Sequence, residues 1–291
     1  MILLQTKLLQ ILRRIETDAE IIRYRAVSGG CINRAFYVQT RTEEYFVKVN
    51  ERMNHDFFQK EAHGLKLLQK ANAIGIPNVI DVSEQGTEWP PFLVLEWIDG
   101  EQSLHTEEEL GRGVATLHQQ SGTHFGLEID NYIGMLPQKN SWSDNWLAFY
   151  RDRRLKVQLE LGQKKGVILP RRRQKLERLF ARLDRFIPSD VTPSLIHGDL
   201  WSGNWMAGPA GRPYLIDPAV HYAHFELELA FTELFGGFSD RFYHAYAELN
   251  PLDPGYEERK PLYQLYYLLV HLNIFGETYG PAVDRILDYY L

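Results

Sequence analysis

The sequence predicts an α+β protein in two parts: a small β-rich N-terminal lobe, residues 1–98, and a larger helical lobe, residues 99–291. Three observations carry that reading. Short period-two apolar runs crowd the first hundred positions, and most of the remaining chain repeats its apolar residues at helical spacing. Asp99-Gly100 interrupts the chain between the two regimes.

Taken in order, Leu4, Leu8, Ile11, Leu12 and Ile15 share one face of an opening helix. Ile21 to Val27 reads as a strand, Ser28-Gly29-Gly30-Cys31 as a turn, and Ala35 to Val38 as the returning strand. Tyr45-Phe46-Val47-Lys48-Val49 alternates with period two, and a helix comes next, from Phe57 to Ala71. A strand over Val79 to Ser83, a turn at Gly86 and the apolar run Phe92 to Trp97 complete a five-stranded block. Beyond the break, Glu107 to His118 and Ser141 to Leu161 read as helices. Pro170 to Phe186 opens with proline at a helix start. Pro193 to Asp217 is the exception, with two short strands around Gly208-Pro209-Ala210-Gly211. Two or three further helices complete the chain.

Composition narrows the function. Of 291 residues, 44% are hydrophobic and 24% charged, which excludes disordered, collagen-like and low-complexity chains. The net charge of -6 supplies no excess of cations to track a polyanion, so nucleic acid is not an expected partner. Cys31 is the one cysteine, which excludes an internal disulfide and a Cys-based zinc cluster. The first residues lack a basic stretch before their apolar part, and no run reaches about 18 apolar residues, so neither a signal peptide nor a membrane span is expected. The least polar stretch, Leu262 to Phe275, reads as lobe core. Together these point to a reduced, soluble, cytoplasmic protein. The oligomeric state is not legible. Arg171-Arg172-Arg173 with Lys175, Arg178, Arg182 and Arg185 reads as a solvated helix face. His221 and His224 lack a third ligand and read as surface or supporting polar residues.

Four pieces carry chemistry. The turn Ser28-Gly29-Gly30-Cys31 lets backbone N–H groups approach an anion. Lys48 lies in a strand interior, and Glu61 lies on the apolar stripe of the next helix between Phe58 and Leu65, where a buried carboxylate needs a cation. His197-Gly198-Asp199-Leu200-Trp201-Ser202-Gly203-Asn204 presents a carboxylate and, five residues on, an amide. Tyr214-Leu215-Ile216-Asp217 ends a strand in a second carboxylate, which the intervening hairpin folds back toward Asn204. Asn204 and Asp217 form an oxygen pair suited to Mg²⁺, leaving Asp199 free to accept a proton. Each piece alone is weak, but their order and spacing together are the kinase arrangement.

His-Gly-Asp and Asp-Pro in place of the protein-kinase forms make the chain resemble the aminoglycoside-phosphotransferase branch of the protein-kinase-like bilobal fold. Further runs bring it close to the fructosamine kinase (ketosamine-3-kinase) family: Gly29-Gly30-Cys31-Ile32, Val47-Lys48-Val49-Asn50, Asn131-Tyr132-Ile133-Gly134 with Pro137-Gln138, Ile216-Asp217-Pro218-Ala219, Leu234-Phe235-Gly236-Gly237-Phe238 and Leu262-Tyr263-Gln264-Leu265-Tyr266-Tyr267. The resemblance implies ATP between the lobes, with Ser28, Gly29, Gly30 and Cys31 over its phosphates and Lys48, held by Glu61, on the α/β-phosphates. It implies adenine against Glu96-Trp97-Ile98, Mg²⁺ on Asn204 and Asp217, and Asp199 as the base. The substrate it implies is a ketosamine, small or protein-linked, phosphorylated on its 3-hydroxyl so that the adduct falls apart. Trp201 is a candidate for the sugar pocket, with core packing the rival reading. His197 reads as a holder of backbone, and Cys31 as either an inert small residue or a redox-sensitive thiol. The family usually carries Asp-Leu-Ala where this chain has Glu228-Leu229-Ala230, a position read as structural. Two alternatives stand beside this reading: a kinase of the aminoglycoside or choline type, and a catalytically silent nucleotide-binding scaffold.

Overall fold

The computed structural model describes residues 2–28, 32–85 and 90–291. The chain opens with α1 (Ile2–Leu12), β1 (Arg23–Val27), β2 (Arg34–Gln39), β3 (Glu44–Val49), α2 (Asp56–Ala71), β4 (Val79–Val82) and β5 (Phe92–Glu96). The strands form one antiparallel sheet in the order β1-β2-β3-β5-β4. Period-two alternation divides its faces. Tyr45, Val47, Val49, Phe92 and Val94 bury against Leu8, Ile11 and Leu12 of α1. Phe46, Leu93 and Leu95 face the other way, into the core that α2 completes. Lys48 pairs with Leu93 in the ladder, so strand geometry alone turns its side chain toward α2. The turn expected at Gly86 lies outside the described residues.

The helical part continues with α3 (Thr106–His118), the hairpin β6 (Asn131–Ile133) and β7 (Leu136–Gln138), α4 (Trp146–Phe149), α5 (Lys156–Lys164) and α6 (Pro170–Phe180). Then come β8 (Ser194–Ile196), β9 (Trp205–Ala207), β10 (Pro213–Leu215), β11 (His221–Ala223), α7 (Glu226–Leu234), α8 (Asp240–Leu249), α9 (Tyr256–Phe275) and α10 (Gly280–Tyr290). The two strands expected around Gly208 are β9 and β10, paired antiparallel, and β8 pairs with β11. At the centre lies α9, buried through Leu262, Tyr263, Leu265, Tyr266, Leu269 and Leu272, with α5, α7 and α10 against it. No helix among the described residues is long and apolar enough to cross a membrane.

Several expectations shift. The helix placed at Ser141 starts at Trp146, because Asn145 is extended and its side chain accepts the Ala148 N–H at 2.8 Å. The same helix widens to π geometry over Tyr150–Leu155, which brings Arg154 fully inside. The helix from Pro170 stops at Phe180 instead of Phe186. Four α-helices, α7 to α10, come after Asp217 rather than two or three. Arg172 departs from the solvated face expected of its stripe. It is 6% exposed and forks to Glu277 at 2.8 and 3.0 Å and to Asp284 at 2.8 and 2.9 Å, tying α6 to the C-terminal helix. His221 and His224 are both buried, so neither is a surface residue, and no cluster of three metal-capable side chains occurs among the described residues.

Candidate active site

On α2, Phe58, Leu65 and Leu68 form the buried stripe, and Glu61 lies within it. Lys48 Nζ donates to Glu61 Oε1 at 2.6 Å and also to Asp217 Oδ1. The ammonium is 3% exposed. Burial alone would pull its pKa down, but the charges of Asp217 and Glu61 outweigh that and raise it, so Lys48 is a cation at neutral pH. Asp217 is the open member of the trio, with a side chain 39% exposed. Its φ is +58°, a left-handed backbone that a non-glycine residue seldom adopts.

Strand β8 runs into His197-Gly198-Asp199. Gly198 has φ +88°, and a Cβ there would overlap the Ala219 carbonyl, which accounts for glycine between the histidine and the aspartate. His197 is fully buried and neutral, its pKa lowered by that burial. Its Nδ1 accepts the Asp199 N–H at 3.3 Å, so Nε2 carries the proton and donates to the Ile216 carbonyl at 2.9 Å. The imidazole thus joins the Asp199 loop to the end of β10.

Beneath the loop lies Glu228 of α7. Its Oε2 accepts the His197 N–H at 3.0 Å, and its Oε1 accepts the Gly198 N–H at 2.5 Å. Nε2 of His118, at the end of α3, donates to Oε2 at 2.8 Å, and the His118 Nδ1 accepts the Tyr246 hydroxyl at 2.8 Å. Burial pushes the Glu228 carboxyl pKa up, but the hydrogen bonds donated by His118 and by the Gly198 N–H help to bring it below its ordinary value. Glutamate at this position therefore holds the loop by its backbone, consistent with the structural reading. On the far side the Tyr267 hydroxyl donates to the Gly198 carbonyl at 3.1 Å.

Asp199 is half-buried and is not left free as the spacing suggested. Asn204 Nδ2 donates to its backbone carbonyl at 2.8 Å and to Oδ2 at 3.2 Å. Oδ1 keeps no protein partner among the described residues. Burial, with the Asp217 charge next, raises the Asp199 pKa well above the usual carboxylate range. Turning its N–H₂ toward Asp199 leaves the Asn204 Oδ1 without a partner among the described residues, while the Ile216 N–H donates to the Asn204 carbonyl at 3.0 Å. An open amide oxygen and the open carboxylate of Asp217, on adjoining ladder ends, are a hard-oxygen pair that fits Mg²⁺ if phosphates and water complete its shell.

The segment proposed for adenine is partly committed elsewhere. The Glu96 N–H donates to Asn78 O at 3.0 Å and the Trp97 N–H to Glu44 O at 3.3 Å. The Glu96 carboxylate accepts the Asn78 N–H at 3.0 Å and the Asn78 amide at 2.8 Å. Glu96 thus fixes the strand end, and of the three only the Ile98 N–H has no partner among the described residues. Ser28 is exposed, whereas Gly29, Gly30 and Cys31 lie outside the described residues. Asn50, at the end of β3, donates to the Asn33 side chain at 2.8 Å and to Ile32 O at 3.2 Å, pinning the chain just past that turn. Trp201 is 37% exposed, with its ring over Gly203, so core packing does not account for it. Sequence reasoning missed His118, Tyr267 and Asn50. The available signals were polar residues on otherwise apolar helix faces and one directly ending a strand.

A sheet with a buried lysine and helix glutamate, set against a helical part with a polar loop and a strand-end aspartate, is the kinase-like fold. The crystal structure of the aminoglycoside phosphotransferase APH(4)-Ia superposes on it with a TM-score of 0.63 at 16% identity, covering 98% of both chains. The crystal structure of a Haemophilus somnus 129PT protein called "Putative fructosamine-3-kinase" reaches a TM-score of 0.86 at 28% identity, covering 99% of this chain and 97% of that one. A Lactiplantibacillus plantarum protein called "Probable ketoamine kinase" is 43% identical over 93% of this chain and 95% of its own. The fructosamine kinase family model matches residues 4–291. This chain belongs to the fructosamine kinase family.

Proposed function

We propose that this protein transfers the γ-phosphoryl group of ATP to a hydroxyl of a ketosamine, the 3-hydroxyl, with residues 1–98 as the ATP lobe and 99–291 as the catalytic and substrate lobe. The observation that carries this reading is the geometry of Asp199. A half-buried carboxylate with one oxygen open and its pKa raised stands within the field of Asp217, the carboxylate bound to Lys48.

In this mechanism Lys48, already bound by two carboxylates, binds the α/β-phosphates while Glu61 keeps it aimed. Ile98 offers its N–H to adenine. Asn204 Oδ1 and Asp217 would hold Mg²⁺, which would supply charge neutralisation on the phosphates. Asp199 Oδ1 accepts the proton of the sugar hydroxyl as that oxygen forms its bond to phosphorus and the bond to the β-phosphate oxygen breaks. Its raised pKa makes Asp199 a better base than an ordinary carboxylate. Trp201 offers an exposed ring to the sugar. Phosphate is a better leaving group than hydroxide: once a proton is lost from C1 beside the ketosamine carbonyl, the C3–O bond breaks with phosphate taking the electron pair, and water hydrolyses the resulting C1 imine to free the amine. One cysteine suits a reducing compartment such as the cytoplasm.

A phosphate-transfer screen over fructosyl-lysine, ribulosyl-lysine, glycated protein, aminoglycosides and choline, with Mg²⁺ and ATP, tests this. ADP formation on the ketosamines is expected. Turnover confined to aminoglycosides or choline replaces the substrate class, and ATP binding with no turnover on any acceptor favours the silent scaffold.

A further inference from the structure

The hairpin β6–β7 carries the Asn131-Tyr132-Ile133-Gly134 and Pro137-Gln138 runs, and the mechanism above uses none of them. One side of the hairpin is polar and buried. Gln138, 2% exposed, donates to Ala219 O at 3.1 Å and to Asn131 Oδ1 at 2.8 Å, while its Oε1 accepts the Tyr266 hydroxyl at 2.7 Å. Asn131 donates to Val220 O at 2.8 Å. The buried Arg154 of the π segment backs this network through Asn140 Oδ1 at 2.8 Å, and Asn140 in turn donates to Asn131 Oδ1 at 2.8 Å. The two carbonyls held in this way belong to the second and third residues after Asp217.

The hairpin's other side faces α2. The Tyr132 ring packs on Phe57 with centroids 5.0 Å apart and lies 4.8 Å from the Lys60 ammonium. Its hydroxyl donates to Asp56 Oδ1 at 3.2 Å. α2 itself rests on the 217–220 segment where Gly64 has no Cβ, since one there would stand 3.2 Å from Val220 Cγ2 and 3.5 Å from Pro218 Cγ.

We propose that this hairpin is a brace that ties α2, and so Glu61, to the segment following Asp217, and that Asn131 and Gln138 are positioning residues that hold Asp217 in its left-handed conformation on Lys48. A left-handed aspartate persists only where its surroundings over-determine it. The buried Ala219 carbonyl accepts from Gln138 and also from His221 Nδ1 at 3.0 Å, and the buried Val220 carbonyl accepts from Asn131, so the two amides complete the hold on that backbone. Removing the amides leaves the Ala219 carbonyl to His221 alone and the Val220 carbonyl without its side-chain donor, which loosens the backbone after Asp217 and lets its carboxylate move off Lys48. The inference rests on the kinase reading for its functional meaning, but its geometric content stands apart.

Gln138→Met keeps volume and length and removes both donors. Supporting partners of metal ligands are worth about 10–100-fold in metal affinity, so the Mg²⁺ concentration for half-maximal thermal stabilisation by ATP should rise about tenfold. The KM for Mg·ATP should rise with it, and the KM for a ketosamine should stay within about twofold, since Asp199 is held from elsewhere. A crystal structure of Gln138→Met should show Asp217 outside the left-handed region. Tyr132→Phe, which removes one half-buried hydroxyl and leaves the core intact, should shift the Mg²⁺ midpoint in the same direction by a smaller factor. Unchanged Asp217 geometry in Gln138→Met, or Mg²⁺ midpoints at the wild-type value in both variants, overturns the brace. A wild-type protein that Mg²⁺ and ATP fail to stabilise overturns the kinase reading instead, and the variant's crystal structure then judges the brace alone.

Discussion

Lys48 and Asp199 face one site but are held by opposite means. Lys48 is fixed by side-chain ion pairs to Glu61 and to Asp217, and the latter is open to solvent. The Asp199 loop is fixed through backbone N–H groups that bond to Glu228, a carboxylate with no exposed surface, backed by His118 and Tyr246. An ion pair with one exposed member can be remade around an incoming phosphate at modest cost. A buried carboxylate bonded to two backbone N–H groups cannot exchange without unfolding the loop. The Lys48 side of the site is therefore adjustable, and the Asp199 side is rigid.

The largest expected effect breaks the acceptor side at its tip. Asp199→Asn should lower kcat by about 10²-fold or more, the scale of a positioned base, with the KM for ATP little changed. Near-normal turnover would remove Asp199 from the mechanism. Next, Glu228→Ala leaves two buried N–H groups without partners and should cost about 1–3 kcal/mol for each in denaturant titrations. Glu61→Gln, by contrast, keeps its packing and one acceptor, so it should cost little stability and show its effect in the KM for ATP, by about tenfold. Equal stability losses in these two variants would erase the contrast.

The pH dependence sharpens it further. The Asp199 pKa is raised, so kcat/KM should fall as pH drops through a value well above the ordinary 3.8, and an acid limb at the ordinary value would contradict the base assignment. Glu228 has the opposite sign. Its pKa lies below the ordinary 4.5, so the stability it contributes is present above that value and is lost as pH falls through its folded-state pKa. Glu228→Gln should therefore flatten the acid arm of the stability curve. The smallest effect belongs to Trp201→Ala, which should raise the KM for the ketosamine by about three- to tenfold with the melting temperature unchanged, because the ring packs on no core.

Much of the site was legible because its residues break a local pattern. Lys48 interrupts a period-two strand and Glu61 interrupts an apolar helix stripe, and burial forces each to find the other. The turn chemistry around Gly208 placed β9 and β10 correctly. Where geometry depends on partners distant in sequence, the reading failed. Arg172 looked like one cation among seven until the C-terminal segment brought Glu277 and, on α10, Asp284 against it, and the N–H groups of Glu96 and Trp97 looked available until Asn78 and Glu44 took them. The π segment has no signature in its own six residues, since it is set by what Arg154 meets inside.

Local periodicity and spacing along the chain determined the β-rich and helical divisions, the aim of Lys48 toward α2 and the order of the chemical groups, because these depend on short-range backbone geometry. Only the tertiary structure decided which polar groups face each other once buried. The Glu228–His118 anchor, the turn of Asn204 toward Asp199 and the left-handed Asp217 all depend on packing that brings separate elements together, and desolvation selects such partners only after the lobes have closed around them.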